Sequence, residues 1–534
     1  MVSEFNNEPV TKSTQRLVGS MKERGVSEDT LKLTVLRRIV LLAAILLLTG
    51  TFVSARVTFS EKGFYCMVLP DSGAVMIMEY KCRSAGAATD SVFHIPSKIL
   101  HDGKTFKVES IGENAFAGLA HLRSVVIDDG VEVISDRAFN CCVNLRSVHI
   151  PASLVMVGCG VFAGCHSLTE IIVDPRNKYL DSRENSNAVI DSEEDKLLAA
   201  CSATTIPGTV KSIGDYAFSY CSGINQIVIP DGVESIGVSA FLGCGSLRRI
   251  SLPQSLREIG FEAFAGCRAL ESLFIPANVT TIHENNLFGW CDKLVSVVVD
   301  DANTMFDSRS GCNGIVRKAD SLLIAACPGT TLVEGIAGLG YECFSRLKIH
   351  NVSLPKSLVR ISSGAFMGCN EIDSICVDPA NPYFTSPSGS NAILTKDGRT
   401  VVVGCRNTVI PEDVVRISEN AFSGRVSDWV FRLPDGLQTI ESYAFSGCDG
   451  IYQLIIPRSV TSIGDGAFSG CRNLAVVQML CPLPVIRPYT FGNCPNLCVL
   501  GLPDGVGQIY KTAFANCGKL PPLALPSSAS MVGD

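Results

Sequence analysis

Cysteine is the residue type with the widest chemical scope in this sequence, because thiols form disulfides, bind metals and act as nucleophiles. The chain has 534 residues and 23 cysteines. No two cysteines have the C-x-x-C spacing that a zinc site or a dithiol redox site uses. Many of them instead recur at one place, three residues after a phenylalanine, and these are Cys142, Cys165, Cys221, Cys244, Cys267, Cys291, Cys369, Cys448, Cys471, Cys494 and Cys517.

This regular placement indicates packing rather than chemistry. A residue that returns at one fixed position in every repeat faces the core, where a free cysteine packs as a small apolar side chain. We therefore predict a column of buried thiols. Disulfides between successive repeats are the alternative, because exported proteins commonly contain them. Cys66 and Cys82 flank a predicted hairpin and form a further candidate pair.

Other residue types that support catalysis form no recognisable arrangement. His283-Glu284 lacks the second histidine of a helical zinc-protease motif, and neither a G-x-S-x-G elbow nor a G-x-x-x-x-G-K-[ST] loop occurs. Asp174, Asn177 and Asp181 could bind calcium, but such residues more commonly make turns. We predict that the chain is not an enzyme, with no catalytic, cofactor-binding or metal-binding residues and no cofactor.

The remaining candidates for function lie at the x positions of a short pattern, L-x-x-[IVL]-x-[IVL]. In a strand, these positions point away from the core, and a curved stack of repeats offers them as an extended binding surface. They change from basic and polar in the early copies to apolar in the late ones. The candidate binding residues are Arg123, Arg146, His149, Arg248, Arg249, Phe274, His350, Tyr452, Val476 and Val499.

The pattern belongs to a repeat of about 23 residues, I-G-x-x-A-F-x-x-C-x-x-L-x-x-[IVL]-x-[IVL]-P-x-x-[VL]-x-x. A fixed period in this range indicates a solenoid, because a single unit cannot bury its own apolar side. Alternation before the proline predicts a strand, and I-G-x-x-A-F predicts a tight return turn. The repeat phenylalanines are Phe116, Phe139, Phe162, Phe218, Phe241, Phe264, Phe288, Phe344, Phe366, Phe422, Phe445, Phe468, Phe491 and Phe514.

Three insertions of 33 residues interrupt the repeat, after Phe162, Phe288 and Phe366. Each contains two apolar stretches, which in the first insertion are residues 187–190 and 196–201. The third has Asp-Gly between its two stretches, a strong signal for a hairpin. We therefore predict an ordered β-hairpin in each insertion.

The unit resembles that of the BspA-like leucine-rich-repeat family of bacterial and protozoan surface proteins, over roughly residues 91–526. The inserted residues 181–190 also resemble an element of that family. The resemblance implies a β-rich solenoid, a right-handed superhelix of 23-residue rungs with parallel strands. It also implies a surface role in adhesion to host matrix, host cells or other microbes.

The N-terminal segment reads as an export signal. Lys32, Arg37 and Arg38 precede an apolar run over residues 39–48, and Val-Ser-Ala at 53–55 fits a cleavage site. Either translation starts at Met21, or the segment stays uncleaved as a membrane anchor. The predicted organisation is a charged region with signal peptide or anchor (1–55), a β-hairpin cap (56–91), the solenoid (92–526) and a frayed tail (527–534).

One repeat, after Phe422, departs from the pattern. Arg425 occupies the cysteine position and Asp428 an apolar position. Burying such a pair carries a desolvation cost that can exceed the gain from its mutual attraction. We expect both side chains to turn outward, with Trp429 or Val430 in the core.

Composition and pattern together favour a binding protein. The net charge of -7 argues against nucleic acid as a partner. We expect an extracellular or cell-surface protein that binds a protein or another cell-surface macromolecule, and that contacts the membrane only through an uncleaved N-terminal segment. A structural envelope component without a specific ligand and a glycan-binding module are the alternatives.

Overall fold

The computed structural model describes residues 57–70, 72–81, 92–425, 432–522 and 525–532. The chain divides into two units, Met1–Phe59 and Ser60–Asp534. The second unit is a parallel β-solenoid of about 17 turns, spaced by about 23 residues, with almost no helix. This confirms the solenoid predicted from the repeat. Among the described residues, no helix is long and apolar enough to cross a membrane, and the predicted export segment lies outside them.

The first strands precede the regular repeats. They are β1 (Thr58–Glu61), β2 (Phe64–Val68), β3 (Val75–Tyr80), β4 (Val92–Ile95), β5 (Lys98–His101) and β6 (Lys104–Ile111). Strands β2 and β3 pair antiparallel where the sequence predicts a hairpin, and β3 pairs in parallel with β6. The ring of Tyr80 stacks on Phe116 with centroids 5.8 Å apart, so the hairpin covers the first repeat phenylalanine.

The solenoid then runs in four blocks separated by the insertions. Block one contains β7 (Ser124–Ile127), β8 (Val133–Ile134), β9 (Ser147–Ile150), β10 (Met156–Val157) and β11 (Glu170–Val173). The first insertion contains β12 (Leu180–Asp181), a 3₁₀ turn (Arg183–Asn185), β13 (Ala188–Asp191) and β14 (Lys196–Ala200). Block two contains β15 (Ser212–Ile213), β16 (Gln226–Val228), β17 (Ser235–Ile236), β18 (Arg249–Ser251), β19 (Glu258–Ile259), β20 (Ser272–Ile275), β21 (Thr281–Ile282) and β22 (Ser296–Val299).

The second half repeats this arrangement. The second insertion contains β23 (Phe306–Asp307), a 3₁₀ turn (Arg309–Gly311), β24 (Gly314–Arg317) and β25 (Leu322–Ala326), and block three contains β26 (Gly338–Leu339), β27 (Asn351–Leu354), β28 (Arg360–Ile361) and β29 (Ser374–Val377). The third insertion contains β30 (Phe384–Thr385), β31 (Ala392–Thr395) and β32 (Thr400–Gly404). Block four contains β33 (Arg416–Ile417), β34 (Thr439–Ile440), β35 (Gln453–Ile456), β36 (Ser462–Ile463), β37 (Val476–Met479), β38 (Val485–Ile486), β39 (Val499–Gly501), β40 (Gln508–Ile509) and β41 (Met531–Val532).

Each circuit of the chain, here called a rung, contributes strands to two parallel stacks. One stack consists of strands of three or four residues, in which Ile227 of one rung pairs with Ile250 of the next. The other consists of two-residue strands, in which Ile213 pairs with Ile236. The sequence predicted the first stack and interpreted the second as a return turn, because two residues are too few to show alternation.

The glycine after the short strand allows close approach between rungs. A Cβ built on Gly237 would lie 2.8 Å from the backbone nitrogen of Asp215, and one on Gly260 would lie 2.6 Å from the carbonyl carbon of Gly237. Without a side chain, the backbones of successive rungs meet directly at this edge. This contact explains the glycine of the I-G pair.

The repeat phenylalanines form stacked columns, as predicted. Phe241 is completely buried, and its ring centroid lies 4.9 Å from that of Phe218 and 5.9 Å from that of Phe264, with planes 12° and 11° apart. Such offset stacks bury large apolar area and add an aromatic contact. The columns therefore form the centre of the core.

The repeat cysteines form the predicted column of buried free thiols, with Cys517 half-buried at its end. The thiol of Cys244 donates to the carbonyl of Phe218 at 3.1 Å, and that of Cys267 donates to Phe241 at 3.3 Å. The same Phe218 carbonyl also accepts the backbone N–H of Cys221. The thiol of Cys244 therefore donates to the second lone pair of the Phe218 oxygen. Cysteine thus combines apolar packing with a hydrogen bond. Cys66 is buried and Cys82 lies outside the described residues, so their pairing stays a prediction.

The insertions contain the predicted strand pairs and one strand more. In the first insertion, β13 pairs antiparallel with both β12 and β14, and β14 pairs in parallel with β15. Strand β12 and the 3₁₀ turns of the first two insertions were not predicted. Asn177 secures the start of the insertion: its amide nitrogen donates to the Pro151 and Leu154 carbonyls, and its amide oxygen accepts the backbone N–H of Tyr179. Asn177, considered above as a calcium ligand, is therefore a turn residue.

The prediction for Arg425 was wrong. The side chain is buried, and its guanidinium donates to the carbonyl of Gly404 at 3.1 Å and to that of Cys369. The third insertion supplies the Gly404 carbonyl and the rung before it supplies the Cys369 carbonyl, so the arginine has acceptors without a carboxylate. Burial lowers the pKa of Arg425. Asp428, Trp429 and Val430 lie outside the described residues.

The end of the chain also differs from the expectation. Within residues 527–534, for which the sequence predicts a frayed tail, β41 pairs in parallel with β40. The described part of the tail therefore adds a short strand to the second stack.

We expect Phe241→Ala to destabilise the protein by about 3–5 kcal/mol, because it removes a fully buried ring and leaves a cavity. The measurement is urea unfolding. The matched control is Phe261→Ala, which removes an exposed ring three residues before the repeat phenylalanine of the next rung. Equal losses of stability for the two variants would contradict the stacked core.

We expect alkylation of the native protein by iodoacetamide at about pH 8 to modify the exposed Cys141, Cys376 and Cys498 and to spare Cys221 and Cys291. Burial raises the pKa of both of these thiols to about 12, and the thiolate is the reactive form. Peptide mass spectrometry after native and denatured alkylation measures the difference. Disulfide-linked peptides between successive column cysteines would refute the buried-thiol column.

Candidate binding surface

The outward side chains of the three- and four-residue strands form one face of the solenoid, here called the strand face. In β20 the order is exposed, buried, exposed, buried, and β35 has the same alternation. Apolar residues at the buried positions fix which side chains face outward. The ten candidate binding residues all lie on or directly beside these strands.

The structure separates the ten candidates into four groups rather than one site, because each insertion interrupts the strand face. Arg123, Arg146 and His149 lie on block one, Arg248, Arg249 and Phe274 on block two, His350 on block three, and Tyr452, Val476 and Val499 on block four. Arg123 and Val476 are half-buried and the others are exposed. A ligand that contacts all of them would have to extend along the solenoid.

Block two presents a mixed basic and apolar surface. Phe274 pairs in register with Val298 on the next strand, and Val228 lies in the same outward column two rungs earlier. Their exposed fractions are 48%, 43% and 71%. The sequence prediction missed both valines, because valine in a strand was assigned to the core even at the positions that face outward. The alternation that placed Phe274 outward could have identified them.

Block three carries a charged cluster. The Nδ1 atom of His350 lies 3.2 Å from Asp373 and its Nε2 atom lies 3.6 Å from Glu371. Arg406, which follows the last strand of the third insertion, forms an ion pair with the same Asp373. The cluster therefore ties the insertion to the strand face, and it leaves His350 engaged within the chain.

Block four presents exposed apolar side chains on the strand face. Tyr452, Ile455 and Val499 have exposed fractions of 60%, 47% and 52%. Strand β41 of the tail pairs with β40 in the other stack, so this described segment does not cover Val499. Apolar residues on the face of a soluble protein commonly mark a contact surface.

The second insertion is held between its neighbours by an ion network. Arg317 forms ion pairs with Glu284 of the preceding rung and, at 2.9 Å, with Asp320 of its own hairpin. Asp320 also pairs at 2.5 Å with Arg360 of β28, which lies one strand beyond the adjacent β26. The hydrogen bonds and charges of the two arginines lower the pKa of Asp320 to about 2. The network fixes the hairpin on both sides.

The described residues contain no group of three or more His, Cys, Asp or Glu side chains that could hold a metal ion. The aspartates that were considered as calcium ligands have other partners. Asp174 accepts two hydrogen bonds from the guanidinium of Arg176, and Asp181 is paired with Arg183 at 2.7 Å. These contacts accord with a structural role in the turns.

The repeats match a known family. The family described as BspA type leucine rich repeat region matches residues 104–192, 196–313, 328–390 and 403–533, which is more than half of the chain. No curated protein is significantly similar to the sequence.

Several solved structures are similar to the chain. A leucine rich cell surface protein from Faecalibacterium prausnitzii is 21% identical, with 90% of this chain and 95% of that chain covered and a TM-score of 0.38. The pneumococcal vaccine antigen PcpA is 20% identical, with coverages of 89% and 93% and a TM-score of 0.33. A leucine-rich repeat protein from Bacteroides ovatus is 21% identical, with both coverages 91% and a TM-score of 0.30.

We expect the ion network of the second insertion to make stability fall in acid. The pKa of Asp320 is lowered from 3.8 to about 2, so its stabilising effect is present above about pH 4 and is lost as the pH falls towards 2. Asp320→Asn should lower the melting temperature at pH 6, and the difference from wild type should vanish near pH 2. The control is Asp301→Asn, an exposed aspartate with no ion pair to a described residue. A difference that persists unchanged at pH 2 would contradict this assignment.

Proposed function

Because this chain belongs to the BspA-type leucine-rich repeat family, we propose that it is an exported cell-surface protein that binds other proteins or cells through its strand face. The family is a repeat scaffold, and a role in protein interaction is plausible for it. The role as an adhesin, the export and the location at the cell surface are our proposals. The export proposal rests on the basic and apolar segment before residue 56, which serves as a cleaved signal or an anchor.

The observation that supports this function is the contrast between the two sides of each long strand. The inward side repeats the same apolar residues in every rung, whereas the outward side varies from Arg146 to Phe274 to Tyr452. A constant frame with a variable face suits recognition, because residues on the face can change without loss of the core. Stacked repeats present such faces as extended surfaces.

A binding role also fits the two charged clusters described above. The His350 cluster and the Arg317 network are held by contacts within the chain, and we assign them to structure rather than to catalysis. We therefore propose that the protein is not an enzyme.

Glycan binding is the second candidate. Exposed rings favour it, since aromatic faces pack on sugar rings. Tyr452 and Phe274 supply such rings on the strand face, and Tyr220 and Trp290 supply them beside the repeat cysteines, with exposed fractions of 48% and 39%.

The test is an array of matrix proteins, intact host and bacterial cells, and glycans, probed with the labelled full chain. We expect binding to proteins or cells, and a loss of about tenfold in affinity for the variant Arg146→Glu, Arg248→Glu, Tyr452→Ser. The control is Arg257→Glu, Arg268→Glu, Tyr510→Ser, which makes the same charge change with exposed residues away from the strand face.

The other outcomes decide between the functions. Binding to glycans alone would favour the glycan-binding module. No binding to any surface, with the protein retained in the cell envelope, would favour a structural component and would overturn the proposal. Equal losses in both variants would show that the strand face is not the binding surface.

A further inference from the structure

Block two of the strand face combines arginines and apolar side chains in a regular arrangement, here called the Arg–Phe patch. It lies on the outward side of β16, β18, β20 and β22, and it includes Arg248 directly before β18. Its members are Val228, Arg248, Arg249, Ser251, Phe274 and Val298.

The apolar part of the patch contains a gap. Val228 lies opposite Ser251 in the register of β16 and β18. Phe274 holds the same outward position on the next rung, where the backbone N–H of Glu271 donates to the carbonyl of Arg248. Because neighbouring strands lie about 4.8 Å apart, the small Ser251 side chain lies between two large exposed apolar ones. The column thus forms a notch that an apolar side chain from outside could fill.

The basic part of the patch lies beside this notch. Arg249 stands two residues before Ser251 on the same strand, and Arg248 precedes it. Neither arginine forms an ion pair with a residue in the described ranges. The insertion arginines Arg183 and Arg317, in contrast, are both held by aspartates.

The charge is notable because the chain as a whole is acidic, with a net charge of -7. Among the described residues, these two positive charges outnumber the one exposed carboxylate beside them, that of Glu271 next to Arg248 on the following rung, and they attract a ligand of negative charge. They also retain their full capacity for hydrogen bonds, and a guanidinium matches a carboxylate in a bidentate arrangement.

We propose that the Arg–Phe patch binds an extended acidic segment of a partner protein, in which a carboxylate residue and an apolar residue alternate. The carboxylates pair with Arg248 and Arg249, and the apolar side chain fills the notch over Ser251 between Val228 and Phe274. This rests on the proposed function, and it specifies the partner's chemistry.

The spacing of the patch supports an extended segment. Residues i and i+2 of a strand point to the same side and lie about 6.6 Å apart. Arg249 and Ser251 have this same separation along β18, so a segment that runs along the strand places an acidic and an apolar side chain on one arginine and on the notch. A ligand that binds by charge alone, such as a sulfated polysaccharide, would leave the apolar column unused.

The test uses fluorescence polarisation of labelled synthetic peptides with the full chain. The first peptide alternates glutamate and leucine at i and i+2 with serine and threonine between them. The second replaces leucine by serine, the third replaces glutamate by lysine, and heparin serves as the polysaccharide. We expect the first peptide to bind about tenfold more tightly than the others, with affinity falling as salt rises from about 50 to 300 mM.

Matched variants locate the binding site. Arg248→Glu with Arg249→Glu, and separately Phe274→Ser, should each weaken binding of the first peptide by about tenfold. The controls are Arg257→Glu with Arg268→Glu, and Phe261→Ser, which make the same changes at exposed positions outside the patch. Thermal unfolding of each variant excludes an effect of misfolding.

Three results would contradict binding of an acidic segment at this patch. The proposal would be overturned if heparin or the serine-substituted peptide bound as tightly as the first peptide and Phe274→Ser had no effect. The patch would then be a general polyanion-binding surface. Self-association that Phe274→Ser abolishes would assign the patch to a second copy of this chain and also overturn it. If the double arginine variant still bound its targets on the protein and cell array, the patch would be ruled out as the binding site, and the proposed function would still stand.

Discussion

The in-register stacking of rungs is the constraint on which the rest of this structure depends. Each rung bonds to the next through its backbone: the N–H of Phe218 donates to the carbonyl of Ala240, and that of Phe241 donates to Ala263. Every side chain therefore has its counterpart from the next rung about one strand spacing away. A residue type persists at a position only if it packs against a copy of itself, as phenylalanine does through ring stacking and cysteine through its thiol bond to a carbonyl. The inward residues are consequently uniform, and variation is confined to the strand face and the insertions.

The departures from the repeat show how the stack tolerates an exception. Arg425 replaces a column cysteine and keeps its hydrogen-bonding function, since it too donates to backbone carbonyls. Its longer reach suits the rung beside the third insertion, where Gly404 lies against Phe422; a Cβ on that glycine would fall 1.9 Å from the ring. The first two insertions have Ala200 and Ala326 at this place, so the third insertion differs from them at the residue whose carbonyl accepts from Arg425.

The sequence predicted the features that depend on alternation or on a fixed period. The long strands, the buried Phe241 and the thiol column follow from residues that recur in register, and all three are present. The short strands escaped prediction because two residues carry no period. Arg425 was predicted to face outward because the desolvation of its charge was considered without the backbone carbonyls of Gly404 and Cys369 that accept its hydrogen bonds. On the strand face, the alternation predicted Phe274 correctly, but the exposed Val228 and Val298 were passed over because residue type was given more weight than position.

The insertions divide the aromatic stacks, with a break between Phe162 and Phe218, between Phe288 and Phe344, and between Phe366 and Phe422. At each break, the first ring of the following block faces small residues of the insertion instead of another ring. In the first insertion, for example, the backbone N–H of Ala200 donates to the carbonyl of Ala217. In a linear array, cooperativity passes only between nearest neighbours, so a weak junction limits how far a local opening spreads. Backbone hydrogen bonds still cross these junctions, as from Ala326 to Cys343 and from Gly404 to Ala421, so the insertions divide the protein into joined blocks, each with its own aromatic stack and its own share of the strand face.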